Sequence, residues 1–195
     1  MNDVTVEPLS DFPELKILVP PVFTDRRGSF CEVYSQAAID RAGLAFRPVQ
    51  DNHSFSWKAG TIRGLHFQTP PFAQAKLVRV NRGAIYDVVV DIRHGSPTFG
   101  RFAAVELNAQ NRKQFLIPSG FAHGYCTLTA EAEVLYKVDA HYAPANDTGV
   151  LWNDPDLGIP WPVRAEDAVL SDKDAKLSRL KDLAPYFYSA SRSAR

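Results

Sequence analysis

Two stretches of the chain set a histidine among glycines and β-branched residues. They are Gly60-Thr61-Ile62-Arg63-Gly64-Leu65-His66-Phe67-Gln68 and Ile117-Pro118-Ser119-Gly120-Phe121-Ala122-His123-Gly124. An imidazole titrates near ~6.5, so a neutral histidine suits proton abstraction at neutral pH. Further polar side chains that could carry chemistry are scattered along the chain, among them Lys76, Tyr136 and Asp174. Each residue also has a plainer reading. A lone histidine in a barrel is often an interior hydrogen-bonding residue. Lys76 fits a solvated edge lysine, and Tyr136, in Val134–Val138, fits a core ring. Asp174 fits the third position of a capping box begun by Ser171. Taken singly, these residues name no reaction.

These side chains need elements to hold them. Short β-branched and aromatic runs dominate, separated by Gly, Pro, Asn and Asp. Strands are predicted at Leu15–Val19, Phe30–Tyr34, Phe46–Asn52, Thr61–Phe67 and Ala75–Val80. Five more follow at Ala84–Ile92, Phe102–Leu107, Lys113–Ile117, His123–Thr127 and Glu133–Tyr142. This spacing suggests an all-β sandwich or barrel, a jelly roll. A short helix is predicted over Gln36–Ala42, capped by Ser35 and ended by Gly43. Leu170, Leu177 and Leu180 predict an amphipathic helix over Leu170–Leu183, a C-terminal appendage. One domain over 1–187 is expected, with 188–195 (SASRSAR at its end) as a disordered tail.

The histidine segments resemble the two half-motifs of the cupin jelly roll. A metal-binding cupin would offer two His and a Glu from the first segment and a His from the second. Here the first supplies only His66, with Gln68 two residues on. Two imidazoles without an acidic ligand make a poor divalent site, so no metal is expected. Strict alternation puts Ile62, Gly64 and His66 on one face and Arg63, Leu65 and Phe67 on the other. For Arg63 and His66 to share a site, Gly64 must make a bulge or the strand must twist sharply. Gly64, Gly120 and Gly124 are expected to leave room for something to approach the backbone.

Of 195 residues, 45% are apolar and 23% charged, with 22 basic and 22 acidic side chains. The balance gives no electrostatic footprint for nucleic acid or an anionic membrane, so an anionic ligand must meet local cations. Cys31 and Cys126 suggest neither a disulfide framework nor a zinc site. The start, MNDVTVEPLSDFPEL, is not read as a signal peptide, and no stretch is apolar enough to span a membrane. A cytoplasmic location is expected.

In order along the chain stand FTDRRGSF (23–30), QDNHS (50–54), IRGLHFQ (62–68), AKLVRV (75–80), DVVVDIR (87–93), SPTFG (96–100), IPSGFAHG (117–124), LYK (135–137), LWNDP (151–155), IPWP (159–162) and LSDKD (170–174). This series closely resembles the dTDP-4-dehydrorhamnose 3,5-epimerase family over nearly the whole chain. The resemblance implies a cupin-like jelly roll that dimerises and uses no cofactor or metal. It implies epimerisation at C3′ and C5′ of dTDP-4-keto-6-deoxyglucose; some relatives of this pattern invert one centre only. It implies His66 as general base with Asp174 as its partner, Tyr136 as the opposing acid, and Lys76 beside the keto oxygen. Arg27, Glu32, Gln50, Asp51, Asn52, Arg63 and His123 would bind substrate. Tyr142 would stack on thymine, and Asp147 and Lys173 would make outer contacts. Asp147 stands where relatives carry Glu, one methylene shorter. Two other readings compete: a metal-dependent cupin, and a sugar-binding jelly roll without catalysis.

Overall fold

The computed structural model describes residues 3–189. Alternating side chains sort most strands into two facing antiparallel sheets. The first runs β1 (Thr5–Leu9), β2 (Phe12–Val19), β11 (Gln114–Ile117), β7 (Lys76–Arg82), β13 (Ala132–Val138), β5 (Gln50–Ser56). The second runs β10 (Phe102–Asn108), β8 (Ala84–Asp91), β12 (Phe121–Thr127), β6 (Ile62–Gln68), β14 (Asp147–Gly149). Two small pairs stand apart: the antiparallel hairpin β3 (Val22–Asp25) and β4 (Gly28–Cys31), and the parallel pair β9 (Arg93–His94) and β15 (Phe187–Tyr188). This is the expected all-β, jelly-roll-like arrangement. Sequence reading missed β1, β3, β9, β14 and β15, which are short or carry exposed polar residues.

Between the sheets lies one apolar cluster, including Val78, Val80, Ile85, Val89, Phe115 and Val134. On the outer face of the second sheet, Leu65, Phe67, Val88, Val90 and Ile92 meet the chain that returns after β14. On the outer face of the first, Leu18, Leu77 and Leu116 meet Ile39 and Phe46. Ile39 belongs to α1 (Gln36–Arg41), which ends as predicted at Gly43. Gly43 has φ +69°, its N–H donates to Asp40 O, and Leu44 N–H reaches Ile39 O, closing a Schellman motif. Ser35 is extended at the cap position, but its side chain makes no cap bond.

The predicted C-terminal helix is not there. Residues 170–183 run extended, with single 3₁₀ turns at Asp174–Lys176 and Leu180–Asp182. Bridges Thr61↔Val169 and Val150↔Ser178 lay this segment along the second sheet. Leu180 and Leu183 face that sheet's outer cluster, and Leu170 packs by Trp152 and Ile62. The leucine spacing reflects burial on the sheet, which outweighs helical propensity. At the start of the expected tail, Tyr188 pairs with His94, and Ser189 N–H donates to His94 O. Residues 190–195 lie outside the described residues. No described helix is long and apolar enough to cross a membrane.

Candidate active site

The bulge on β6 builds the site. His66 stands opposite His123 and Arg63 opposite Tyr125, so three steps on β6 match two on β12. The extra residue breaks alternation at Gly64, which has φ +130°. Ile62 and Leu65 therefore both face outward, while Arg63 and His66 line the same cavity. Gly64 and Gly124 leave no room for a ligand: a Cβ on Gly64 would lie 2.6 Å from Gly124 Cα, and one on Gly124 would lie 2.6 Å from Arg63 O. Similarly, a Cβ on Gly120 would lie 2.7 Å from Arg93 Cγ. What approaches the three glycines is the protein itself: β12 backbone at Gly64, β6 backbone at Gly124 and the Arg93 side chain at Gly120.

The cavity, of about 600 Å³, lies between the sheets and is lined by His66 and His123 from one and Lys76 and Tyr136 from the other. His66 Nε2 lies 2.7 Å from Asp174 Oδ1. With Nε2 donating to the carboxylate, the Nδ1 lone pair is left for chemistry. Gly64 N–H donates to Asp174 Oδ2 at 3.2 Å, and Asp174 N–H donates to Ser171 Oγ. So half of the capping box forms, but the Asp174 side chain turns inward to His66 instead. Burial works to raise the Asp174 carboxyl, yet the bonds from His66, Gly64 and Ser171 outweigh it and hold it below the ordinary carboxylate value.

Lys76 is buried, not a solvated edge residue, and its Nζ donates to His66 O at 3.2 Å. Burial depresses its pKa to about 8, against the pull of Asp147 and Asp87. His123 Nε2 lies 3.0 Å from each oxygen of Asp87, which is wholly buried. Burial pushes His123 down and Asp87 up. Tyr136 is half-buried, and burial raises its hydroxyl while the Arg63 charge opposes the rise. Arg63 donates from Nε to Ser56 Oγ and from Nη2 to Phe55 O, tying β5 to β6.

Other expected residues scatter. Gln50 and Asn52 share a β5 face, Asn52 lies opposite Tyr136 on β13, Gln50 Nε2 donates to Asn52 Oδ1, and Gln50 Oε1 accepts Tyr142 N–H. Asp51 points to the other side of that sheet, 2.7 Å from Lys137 Nζ, so this chain does not bring it to the cavity. Tyr142 is exposed and donates to Asp147, which also accepts from Lys173; Lys173 lines the cavity. Arg27 sits in the β3–β4 turn, 84% exposed and paired with Asp25, and neither it nor Glu32 reaches the cavity. Several lining residues were not foreseen, Tyr125 and Ser54 among them. The Tyr125 hydroxyl and Ser54 Oγ lie 2.7 Å apart, and burial pushes the Tyr125 pKa up to about 12. Its signal was an inward position two beyond His123.

The donor set does not fit a divalent ion. Each histidine spends Nε2 on a carboxylate. The Gln68 amide is engaged with Phe72 O, His141 O and Ala143 N–H. Among the described residues no group of three or more His, Cys, Asp and Glu is placed to hold a metal.

Residues 10–182 match the family model described as dTDP-4-dehydrorhamnose 3,5-epimerase. The chain is 46% identical over 179 residues to dTDP-4-dehydrorhamnose 3,5-epimerase of Shigella flexneri, covering 91% of this chain and 97% of that one. It is similar to the solved dTDP-6-deoxy-D-glucose-3,5-epimerase of Legionella pneumophila in complex with dTDP-4-keto-L-rhamnose, with TM-score 0.90, 40% identity, and coverage of 96% and 100%. It is also similar to a 3′-monoepimerase from Streptomyces bikiniensis in complex with dTDP-quinovose, with TM-score 0.83, 36% identity, and coverage of 90% and 87%.

Proposed function

The chain belongs to the dTDP-4-dehydrorhamnose 3,5-epimerase family, and on that premise we propose how its residues carry out the reaction. It is an isomerase that inverts C3′ and C5′ of dTDP-4-keto-6-deoxyglucose. One observation carries the residue roles: the His66–Asp174 pair and the Tyr136 hydroxyl enter one cavity from opposite sheets, with the buried Lys76 ammonium beside them.

C3′ and C5′ both flank the C4′ ketone, so loss of either proton gives an enolate on the same oxygen. His66 Nδ1 takes the proton from one face of the ring, and Asp174 stabilises the imidazolium. Lys76 stabilises the enolate oxygen, an interaction worth a few kcal/mol in a dry site. Inversion needs a proton delivered to the opposite face, and Tyr136 supplies it from the other sheet. Arg63 binds the diphosphate. Lys173 and Asp147 hold the outer part of the nucleotide, and Tyr142 offers its ring to the base.

We read the chain as a homodimer. The β3–β4 hairpin exposes Phe23 and Phe30 and carries Arg27 away from its own cavity. In a second copy it would bring Arg27 to a substrate phosphate, with Glu32 just beyond the hairpin placed to accept from a hydroxyl or N–H of the same substrate. A cytoplasmic location belongs to the same reading, supported by two free thiols, Cys31 and Cys126. The test is NMR in D₂O with dTDP-4-keto-6-deoxyglucose. Exchange and inversion at both C3′ and C5′ are expected. Exchange at one centre alone would make the chain a monoepimerase, and none would overturn the reading.

A further inference from the structure

Asp87 is a carboxylate where the strand pattern calls for an apolar residue. It lies on β8 between Ile85 and Val89, both of which pack between the sheets. Burying such a charge costs several kcal/mol unless partners compensate it. Its bonded partner is His123, 3.0 Å from both oxygens. The nearby Lys76 ammonium is the other compensating charge. A leucine there would leave the His123 ring and the Lys76 ammonium without their buried counter-charge, so the carboxylate serves these two partners rather than the apolar packing around it. Both partners face the cavity.

We infer that Asp87 is a positioning residue for the reaction. It holds His123 as the Nε2–H tautomer with Nδ1 toward the cavity, and it keeps Lys76 charged beside the enolate oxygen. The inference rests on the epimerase reading above and adds a residue to it. Bonding of Nε2 to Asp87 fixes the ring's orientation, as an orienting carboxylate does in other His–Asp pairs. Because Nε2 is committed, His123 presents an acceptor rather than a donor to the ligand. It can therefore take a hydrogen bond from a sugar hydroxyl or from Lys76, but cannot compete with Lys76 for the enolate. The titratable and charged groups facing Lys76 are Asp87 on β8, His123 on β12, His66 on β6, Asp147 on β14 and Tyr136 on β13. The two carboxylates support its charge, and burial opposes it. Removing one carboxylate shifts that balance toward the neutral amine. The alkaline limb of activity, where Lys76 loses its proton, then moves to lower pH.

The experiment compares wild type with Asp87→Asn, which keeps shape and removes charge. Expected are a fall in kcat of about 10²-fold or more, unchanged affinity for dTDP, and an alkaline limb shifted to lower pH. A fall in kcat with an unshifted limb would mean a merely structural role and overturn the inference, as would wild-type kcat. Should Asp87→Asn fail to fold, ¹⁵N NMR of histidine-labelled wild type decides instead. A proton on His123 Nε2 and a bare Nδ1 support the inference, and the reverse tautomer overturns it. The nitrogen signals are read whether or not the chain turns substrate over. A failure here is thus distinct from a failure of the epimerase reading, which wild-type exchange in D₂O reports.

Discussion

Two histidine–carboxylate pairs share one cavity, and they differ in how much water reaches them. The His66 and Asp174 side chains are 29% and 5% exposed, while those of His123 and Asp87 are 8% and 0%. His66 thus opens to the cavity with its partner behind it, which suits a ring that must gain and lose a proton. His123 is closed in with a carboxylate that burial pushes toward its neutral form, which suits a ring that keeps one state. In the mechanism proposed above, the same two side-chain types serve as a working base in one place and a fixed dipole in the other. Burial, rather than residue identity, makes the division.

The sharpest break between the pairs comes from removing each ring. His66→Ala should lower exchange and epimerisation together, by about 10²–10⁴ or more. His123→Ala should slow the reaction by about 10²–10³, the scale of a lost electrostatic group, and leave deuterium exchange the less affected of the two variants. Steady-state kinetics with deuterium incorporation reads both, and exchange that collapses in His123→Ala but survives in His66→Ala would reverse the assignment.

Next in size is the opposing acid. Tyr136→Phe keeps the ring and removes the hydroxyl. His66 can still take a proton and return a deuteron to the same face. Exchange with retention should therefore outlast inversion, followed by NMR and product configuration in one tube. Inversion at the wild-type rate would make Tyr136 a core residue only.

Lys76 separates stability from activity. Its folded pKa of about 8 lies below the ~10.4 of an unfolded lysine. At neutral pH the native state therefore carries a disfavoured charge. That cost is full below pH 8 and relieved as pH rises from 8 toward 10.4. Lys76→Met should lose most activity while its Tm at pH 7 stays at or above that of wild type, by calorimetry. A drop of several degrees would show that the ammonium holds the barrel together.

The smallest effect is expected at Asp51, on the far side of β5. Its pair with Lys137 is an exposed one, worth about 0.2–1 kcal/mol. Asp51→Ala should change kcat/KM by less than about fivefold, and a larger loss would place a partner subunit's site against it.

Most strands could be read from short β-branched and aromatic runs bounded by turn residues, because both faces of each sheet pack on apolar neighbours. Alternation explains what could not be read. It assigns Arg63 and His66 to opposite faces, and only the bulge at Gly64, forced by contact with β12, reunites them. Asp174 was masked by a local explanation that half holds, since Ser171 does accept its N–H. The side chain's true partner lies 108 residues away, beyond any local pattern. The leucines of 170–183 follow a sheet surface that the sequence does not display. Arg27 and Glu32 were legible only through the family resemblance, since nothing in this chain brings them to the cavity.

That 108-residue span also orders events in time. His66 leaves the ribosome long before Asp174, by roughly 5–20 s at ordinary rates of synthesis. The strands that form the cavity walls, through β14, are all made before the segment that carries Asp174. A nascent chain can therefore close its barrel around a His66 that has no carboxylate behind it. The His66–Asp174 pair of the proposed mechanism is complete only when the returning segment lies down along β6 and β14, so the later-made part of the chain supplies the carboxylate behind the earlier-made ring.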